Sequence, residues 1–189
     1  MSRIPTFSEA NYLNKTVDEV FSSIETIGKQ YESGFAETLM HYIKTDEDLK
    51  NFYIRYVYEC ECTKKIIACQ GRDGTSHFAD ILAMIVDDMK KASSIDSISV
   101  LDSQFHRMIF CAVNEQNFFE WYKLNSESLQ TFLNNFWKAV GIGTEFHKEL
   151  IEIHENIYKC IIERNEKLAI ENVQKHFAIL LLKLLGMMY

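Results

Sequence analysis

Apolar side chains recur every three to four residues along most of the chain, which is the spacing of one face of an α-helix. This pattern predicts long helices separated by short polar or glycine-containing breaks. The predicted helices cover residues 48–70, a segment that starts at Thr75 or Ser76, a segment through residues 100–110, and residues 116–140 and 144–163. A last helix follows the turn at residues 164–166 and ends near residue 185. The predicted breaks are residues 71–74, 93–97, the two glycines at 141 and 143, and residues 164–166.

The two ends of the chain add one further helix and one strongly apolar segment. A helix is predicted over residues 17–31, with Asn14 or Thr16 as its cap and a turn at residues 33–34. Residues 179–189 (ILLLKLLGMMY) are apolar enough to form part of a core or an oligomer face.

Composition favours an all-α protein. The 189 residues include one Pro and seven Gly, fewer turn residues than a β-sandwich or a glycine-looped α/β fold usually requires. Apolar residues make up 47% and charged residues 25%, which is typical of a chain with a packed core and excludes intrinsic disorder. The length suits one domain, or one domain with a small appendage.

Charge and cysteine content exclude several classes of protein. A net charge of −7 is unlike that of a protein that coats nucleic acid. There is neither an apolar run of about 18 residues nor a secretion signal at the start, so a cytoplasmic protein without a membrane span is expected. Five cysteines without a CxxC pair indicate free thiols rather than disulfides or a zinc ribbon.

Four side chains are candidates for a metal site. Asp102 and His106 lie four residues apart on one predicted helix, so their side chains share a face. His154 and His176 lie beside apolar residues on two later helices. If the three helices line one cavity, one carboxylate and three imidazoles would suit Zn²⁺ or Ni²⁺ and leave coordination positions open. The alternative is that each is an ordinary, partly buried side chain.

The remaining histidines are weaker candidates. His147 precedes His154 by seven residues and therefore shares its helix face, so we expect it beside the ligands or on the surface. His41 and His77 are expected to be incidental.

The order and spacing of the four candidates resemble the FCD domain, the effector-binding half of the FadR branch of GntR transcription regulators. Local sequence supports the resemblance, which covers residues 48–189. The matching segments are Arg55 with Glu59, Phe105 with His106, and residues 117–119, 152–157 and 165–169. The gap between His106 and residues 117–119 is about two residues longer than the family pattern.

The resemblance implies an antiparallel bundle of six or seven helices around a central cavity. It also implies that Asp102, His106, His154 and His176 hold a divalent metal beside a small carboxylate effector. Arg55 would pair with the effector carboxylate, since guanidinium binds carboxylates in a bidentate manner. A salt bridge from Arg55 to Glu59, four residues later, is the equally weighted alternative.

Residues 1–47 are expected to be a truncated or degenerate remnant of a winged helix. Residues 16–28 resemble the recognition helix of GntR regulators, but Asp18 stands where the family has arginine. Residues 1–50 contain five basic and nine acidic side chains, a net charge of −4. Because phosphate contacts need Lys and Arg, DNA binding by this chain alone is expected to be weak or absent.

The sequence therefore predicts an effector-sensing transcription regulator that acts as a homodimer, without enzymatic activity. Two alternatives stay open. A metal with three His and one Asp could activate water in an enzyme. The chain could also be a helical interaction module without a metal.

Overall fold

The computed structural model describes residues 47–69, 75–113 and 116–184. These ranges form six helices and contain no strand, which confirms the predicted all-α fold. The helices are α1 (Glu47–Cys69), α2 (Thr75–Lys91), α3 (Ile95–Ala112), α4 (Gln116–Val140), α5 (Glu145–Ile162) and α6 (Glu166–Leu184). Four of the predicted segments agree with α1, α4, α5 and α6 to within one residue at each end.

Several predictions fall on residues that are not described. They are the winged-helix remnant before Glu47, including His41, the break at residues 71–74, and the last five residues of the apolar C-terminal segment. The side chain of His77 is likewise outside the described part.

The six helices pack around a continuous apolar core. Helix α3 contacts α1, α2 and α4, while α6 contacts α1 and α5, and α5 also packs on α2. Three-residue connections join α2 to α3 and α5 to α6, so each of these pairs runs antiparallel. The largest fully buried side chains include Phe105, Phe110, Phe136 and Trp137. None of the described helices is both long enough and apolar enough to cross a membrane.

Helix starts follow from local capping chemistry. The Ser94 hydroxyl accepts a hydrogen bond from the backbone N–H of Ser97, so α3 begins at Ile95. The predicted break at residues 93–97 was therefore too long, because a polar stretch that supplies a cap and an acidic first turn is helical. Thr144 caps α5 in the same way, through the N–H of His147.

Residues with left-handed backbone follow the ends of α4 and α5. Gly141 and Gly143 have φ values of 75° and 77° after the end of α4, a region that costs a residue with a side chain about 1–2 kcal/mol. Arg164 has φ 57° after α5, and the N–H of Asn165 there bonds to the carbonyl of Cys160.

A polar network joins α3 to α4 inside the bundle. Ser99 donates to the Asn134 side chain, and Ser103 donates to the Oε1 atom of Gln130. The Gln130 amide in turn donates to Ser99 and Asn134. Ser99 and Ser103 lie within a turn of Asp102, so these bonds fix α3 along its axis where it carries the candidate ligands.

Candidate metal centre

The four candidate ligands meet at one place in the core. Asp102 and His106 come from α3, His154 from α5 and His176 from α6, and each is at most 3% exposed. One ligand atom from each lies within 4.8 Å of the others. The Oδ1 atom of Asp102 is 3.1 Å from Nε2 of His154, 3.7 Å from Nε2 of His106 and 3.8 Å from Nε2 of His176.

Two of the imidazoles are held from behind, through Nδ1. In His106 this atom lies 2.7 Å from a carboxylate oxygen of Glu59, and in His154 it lies 2.7 Å from the carbonyl of Leu150. Both partners are acceptors only, so Nδ1 carries the proton and donates it. In a neutral ring the other nitrogen, Nε2, is then a lone-pair donor, and both Nε2 atoms face Asp102.

The centre lacks a partner for several buried polar atoms. Among the described residues, neither carboxylate oxygen of Asp102 has a hydrogen-bond partner, and the same is true of Nε2 of His176. Buried polar atoms without partners destabilise a fold by about 1–3 kcal/mol each. A cation among these atoms would satisfy all of them at once.

Electrostatics give Asp102 and His176 the protonation states that a cation requires. Burial alone would raise the pKa of Asp102, but the neighbouring His106 and His154 outweigh burial and hold that pKa well below its usual value. Burial, with the charges of His154 and His106, keeps the pKa of His176 well below its usual value. Asp102 is thus a carboxylate and His176 a neutral imidazole at neutral pH.

His106 differs from His176 because it has two acidic neighbours. Burial and the charge of Arg55 lower its pKa, but Glu59 and Asp102 outweigh them and raise it above the usual value. Burial likewise opposes ionisation of Glu59, while His106 and Arg55 keep the pKa of Glu59 below normal. A buried carboxylate therefore stands behind the ring.

The spacing of the donor atoms suits one divalent ion. Two nitrogens about 2.0–2.1 Å from the same tetrahedral ion are about 3.4 Å apart, and the Nε2 atoms of His106 and His154 are 3.3 Å apart. Three imidazoles and one carboxylate form a donor set of the kind that binds Zn²⁺ and similar ions. On geometry, burial and missing partners, the four residues fit a metal.

Arg55 lies in the α1 wall of the same region and is 3% exposed. Its Nε atom is 3.7 Å from the Glu59 carboxylate, so the predicted ion pair is present. Because the other oxygen of that carboxylate lies 2.7 Å from Nδ1 of His106, the guanidinium is near the metal centre. The predicted pairing of Arg55 with an effector stays a prediction.

His147 does not join the four ligands and is not on the surface, contrary to one of the two expectations. It is buried, its Nδ1 accepts from the N–H of Gly143, and its ring packs edge-on against Trp137. Burial lowers its pKa. A shared helix face did not place His147 beside the ligands, because its ring lies two turns before His154 on α5 and there packs against the end of α4.

Sequence reasoning missed the contact between Glu59 and His106. Glu59 was recognised only as a partner for Arg55, although its shorter contact is to a ring 47 residues away. An acid one turn after an arginine in an apolar-rich helix was the available signal, but spacing along one helix does not show which side chain a second helix places against it.

A surface groove of about 590 Å³ lies apart from this centre, between the end of α2 and the start of α3. Asp88, Lys91, Val100 and Gln104 are among the residues that line it, and none of the four candidate ligands does. The groove therefore has no part in the chemistry of the centre.

Comparison with known proteins finds one family whose model matches the chain. The model of the FCD domain matches residues 52–178, about two thirds of the chain, and the matched range contains all four candidate ligands. No curated protein matches the chain, and no solved structure matches it.

Proposed function

Because this chain belongs to the FCD domain family, we propose that it is the effector-sensing part of a GntR-type transcription regulator. The FCD domain is a regulatory, effector-binding domain and is all-α, as the six helices are. The observation that carries the proposal furthest is the buried cluster of Asp102, His106, His154 and His176 inside the matched range.

In this proposal the four residues hold one divalent cation, with Zn²⁺ or Ni²⁺ as the expected identity. When bound, the cation supplies a Lewis-acidic position at which a carboxylate oxygen of an effector can be ligated. The chain's own contribution is to keep the rings of His106 and His154 turned so that both Nε2 atoms face Asp102.

The proposed effector is a small metabolite with a carboxylate group. Arg55 is its proposed charge partner, because a buried guanidinium beside the cluster can form a bidentate pair with a carboxylate. Effector binding would then favour one conformation of the bundle and so change the affinity for DNA in a homodimer. Domain limits of 1–47 for the winged-helix-like segment and 48–189 for the sensor belong to this proposal, as does weak DNA binding by this chain alone.

Metal analysis tests the proposal first. The full chain, purified without chelator, should contain about one divalent ion per chain by mass spectrometry. The variant H176A should lose most of that metal, whereas H147A removes a buried ring outside the cluster and should keep it. Equal metal content in H176A and the parent would contradict the proposed ligand set, and a metal-free parent that does not bind added Zn²⁺ would favour an interaction module.

Arg55 is tested with carboxylate probes. Thermal shift with acetate, succinate and citrate should reveal stabilisation of the metal-loaded chain by at least one of them. In R55A the apparent affinity for that carboxylate, taken from the concentration dependence of the thermal shift, should fall at least tenfold. The metal content should be unchanged. An unchanged affinity in R55A would remove Arg55 from the effector site.

A further inference from the structure

Glu59 is an acid enclosed in the core beside the metal centre. Its side chain is 2% exposed, and it reaches from α1 to a ring on α3. One carboxylate oxygen lies 2.7 Å from Nδ1 of His106, whereas the other lies 3.7 Å from Nε of Arg55. The shorter contact is therefore to the candidate ligand and not to the arginine on its own helix.

This contact determines which nitrogen of His106 is available. A carboxylate can only accept, so Nδ1 must carry the proton, and in the neutral ring Nε2 keeps its lone pair. That Nε2 atom is 3.3 Å from Nε2 of His154 and 3.7 Å from the Asp102 carboxylate. Without Glu59, rotation of the ring or a change of tautomer would turn a proton toward the centre.

We propose that Glu59 is a positioning residue for the metal centre, which holds His106 in the orientation and tautomer that a metal ligand needs. This inference rests on the proposed metal-binding function. Carboxylates behind metal-bound imidazoles raise the basicity of the ring, and their removal typically lowers metal affinity 10- to 100-fold.

The contact of His106 with Glu59 differs from the corresponding contact of His154. His154 donates from Nδ1 to the carbonyl of Leu150 in its own helix, which is a neutral acceptor. His106 has a full negative charge in the same position, supplied by another helix. Glu59 therefore makes His106 the stronger electron donor of these two rings, and it connects α1 to the metal centre although none of the four candidate ligands lies on α1.

The experiment uses Co²⁺ as the probe, because its visible absorption reports the ligand field. The full chain, E59Q and E59A are stripped with chelator and titrated with Co²⁺ in competition with a chromophoric chelator. Gln keeps an acceptor of similar shape without the charge, and Ala removes both. The matched control is E61Q, since Glu61 lies two residues away on α1 and pairs with Lys64 instead.

The expected order of Co²⁺ affinity is parent, then E59Q, then E59A. We expect a loss of about 10-fold for E59Q, up to about 100-fold for E59A, and less than twofold for E61Q. The absorption maxima of the Co²⁺-loaded protein should shift in E59Q but not in E61Q. A purely structural Glu59 would lower the melting temperature of the metal-free chain and leave affinity and spectrum unchanged.

Histidine side-chain NMR of the metal-free chain gives a second readout if E59A folds poorly. The Nδ1–H proton of His106 should resonate far downfield in the parent, and less so in E59Q. If the parent binds Co²⁺ and E59Q matches it within twofold with the same spectrum, this inference is overturned and the proposed function stands. If the parent binds no Co²⁺, both fall.

Discussion

Addition of a divalent ion to the metal-free chain should raise its melting temperature, and the increase should require both His154 and His176. These ligands lie on α5 and α6, while Asp102 and His106 lie on α3, so one ion would connect α3 to a pair of helices that the whole of α4 separates from it in sequence. Unfolding separates the helices and destroys the site. The binding free energy therefore adds to the free energy of unfolding.

The expected magnitude follows from mass action. With free ion at 100 times its dissociation constant, a ligand that binds only the native state stabilises it by about 2.7 kcal/mol. For a chain of 189 residues, about 1 kcal/mol shifts the melting temperature by about 2–4 °C. The parent should therefore gain about 5–11 °C.

The assay compares the gain in melting temperature on Zn²⁺ addition for the parent, H154A, H176A and H147A. His147 is the matched control because it is buried on the same helix as His154 but lies outside the cluster. All three variants should melt lower than the parent without metal, since each removes a buried ring. Only H147A should keep the full gain.

The comparison can refute the reasoning clearly. A full gain in both H154A and H176A would show that Zn²⁺ stabilises the chain elsewhere. Loss of the gain in H147A as well would show that any cavity in this region abolishes binding, so that the losses in the other variants carry no information about ligation.

Other outcomes are expected away from the cluster. G143A should destabilise the chain by about 1–2 kcal/mol in urea unfolding, because its Cβ would meet no atom within 4 Å and only the φ of 77° opposes it; an unchanged midpoint would contradict this. Of the five thiols, exposed Cys69 and Cys111 should react quickly with a disulfide reagent. Buried Cys60, whose pKa burial raises to about 12, should react only after denaturation. Fast reaction of more than two thiols in the native chain would contradict this prediction. Burial lowers the pKa of His147 below its unfolded value of about 6.5. Between pH 7 and 5 the unfolded chain therefore binds a proton that the native ring does not, and the free energy of unfolding falls. H147Q should lose less stability than the parent over that range, and equal losses would argue against the shift.

The helices could be predicted well because their signals are local. The glycines after α4 mark its end, and the apolar repeat of α5 and α6 marks their extent. Both signals depend only on residues close by in the sequence. The break at residues 93–97 was misjudged because a serine-rich stretch is compatible with both a loop and a helix cap. In the structure the Ser94 hydroxyl accepts a hydrogen bond from the backbone N–H of Ser97, so this stretch caps α3.

The candidate site was predictable in part. The spacing of Asp102 and His106 places them on one face of any helix. The convergence of His154 and His176 came from the family resemblance, because no spacing rule indicates which faces of three helices meet. Glu59 behind His106 and the burial of His147 depend on packing between helices, and sequence alone offered no test of either.

The hydrogen bonds between α3 and α4 restrict how the bundle can respond to a ligand. Each such bond contributes about 0.5–1.5 kcal/mol, and sliding α3 by one turn would break the bonds of Ser99 and Ser103 together. These two helices are therefore expected to move as one rigid body. In the proposed regulator, an effector bound beside Asp102 would then act by rotating α1, α5 or α6 against that body, and crosslinks between these helices and the body should block its effect.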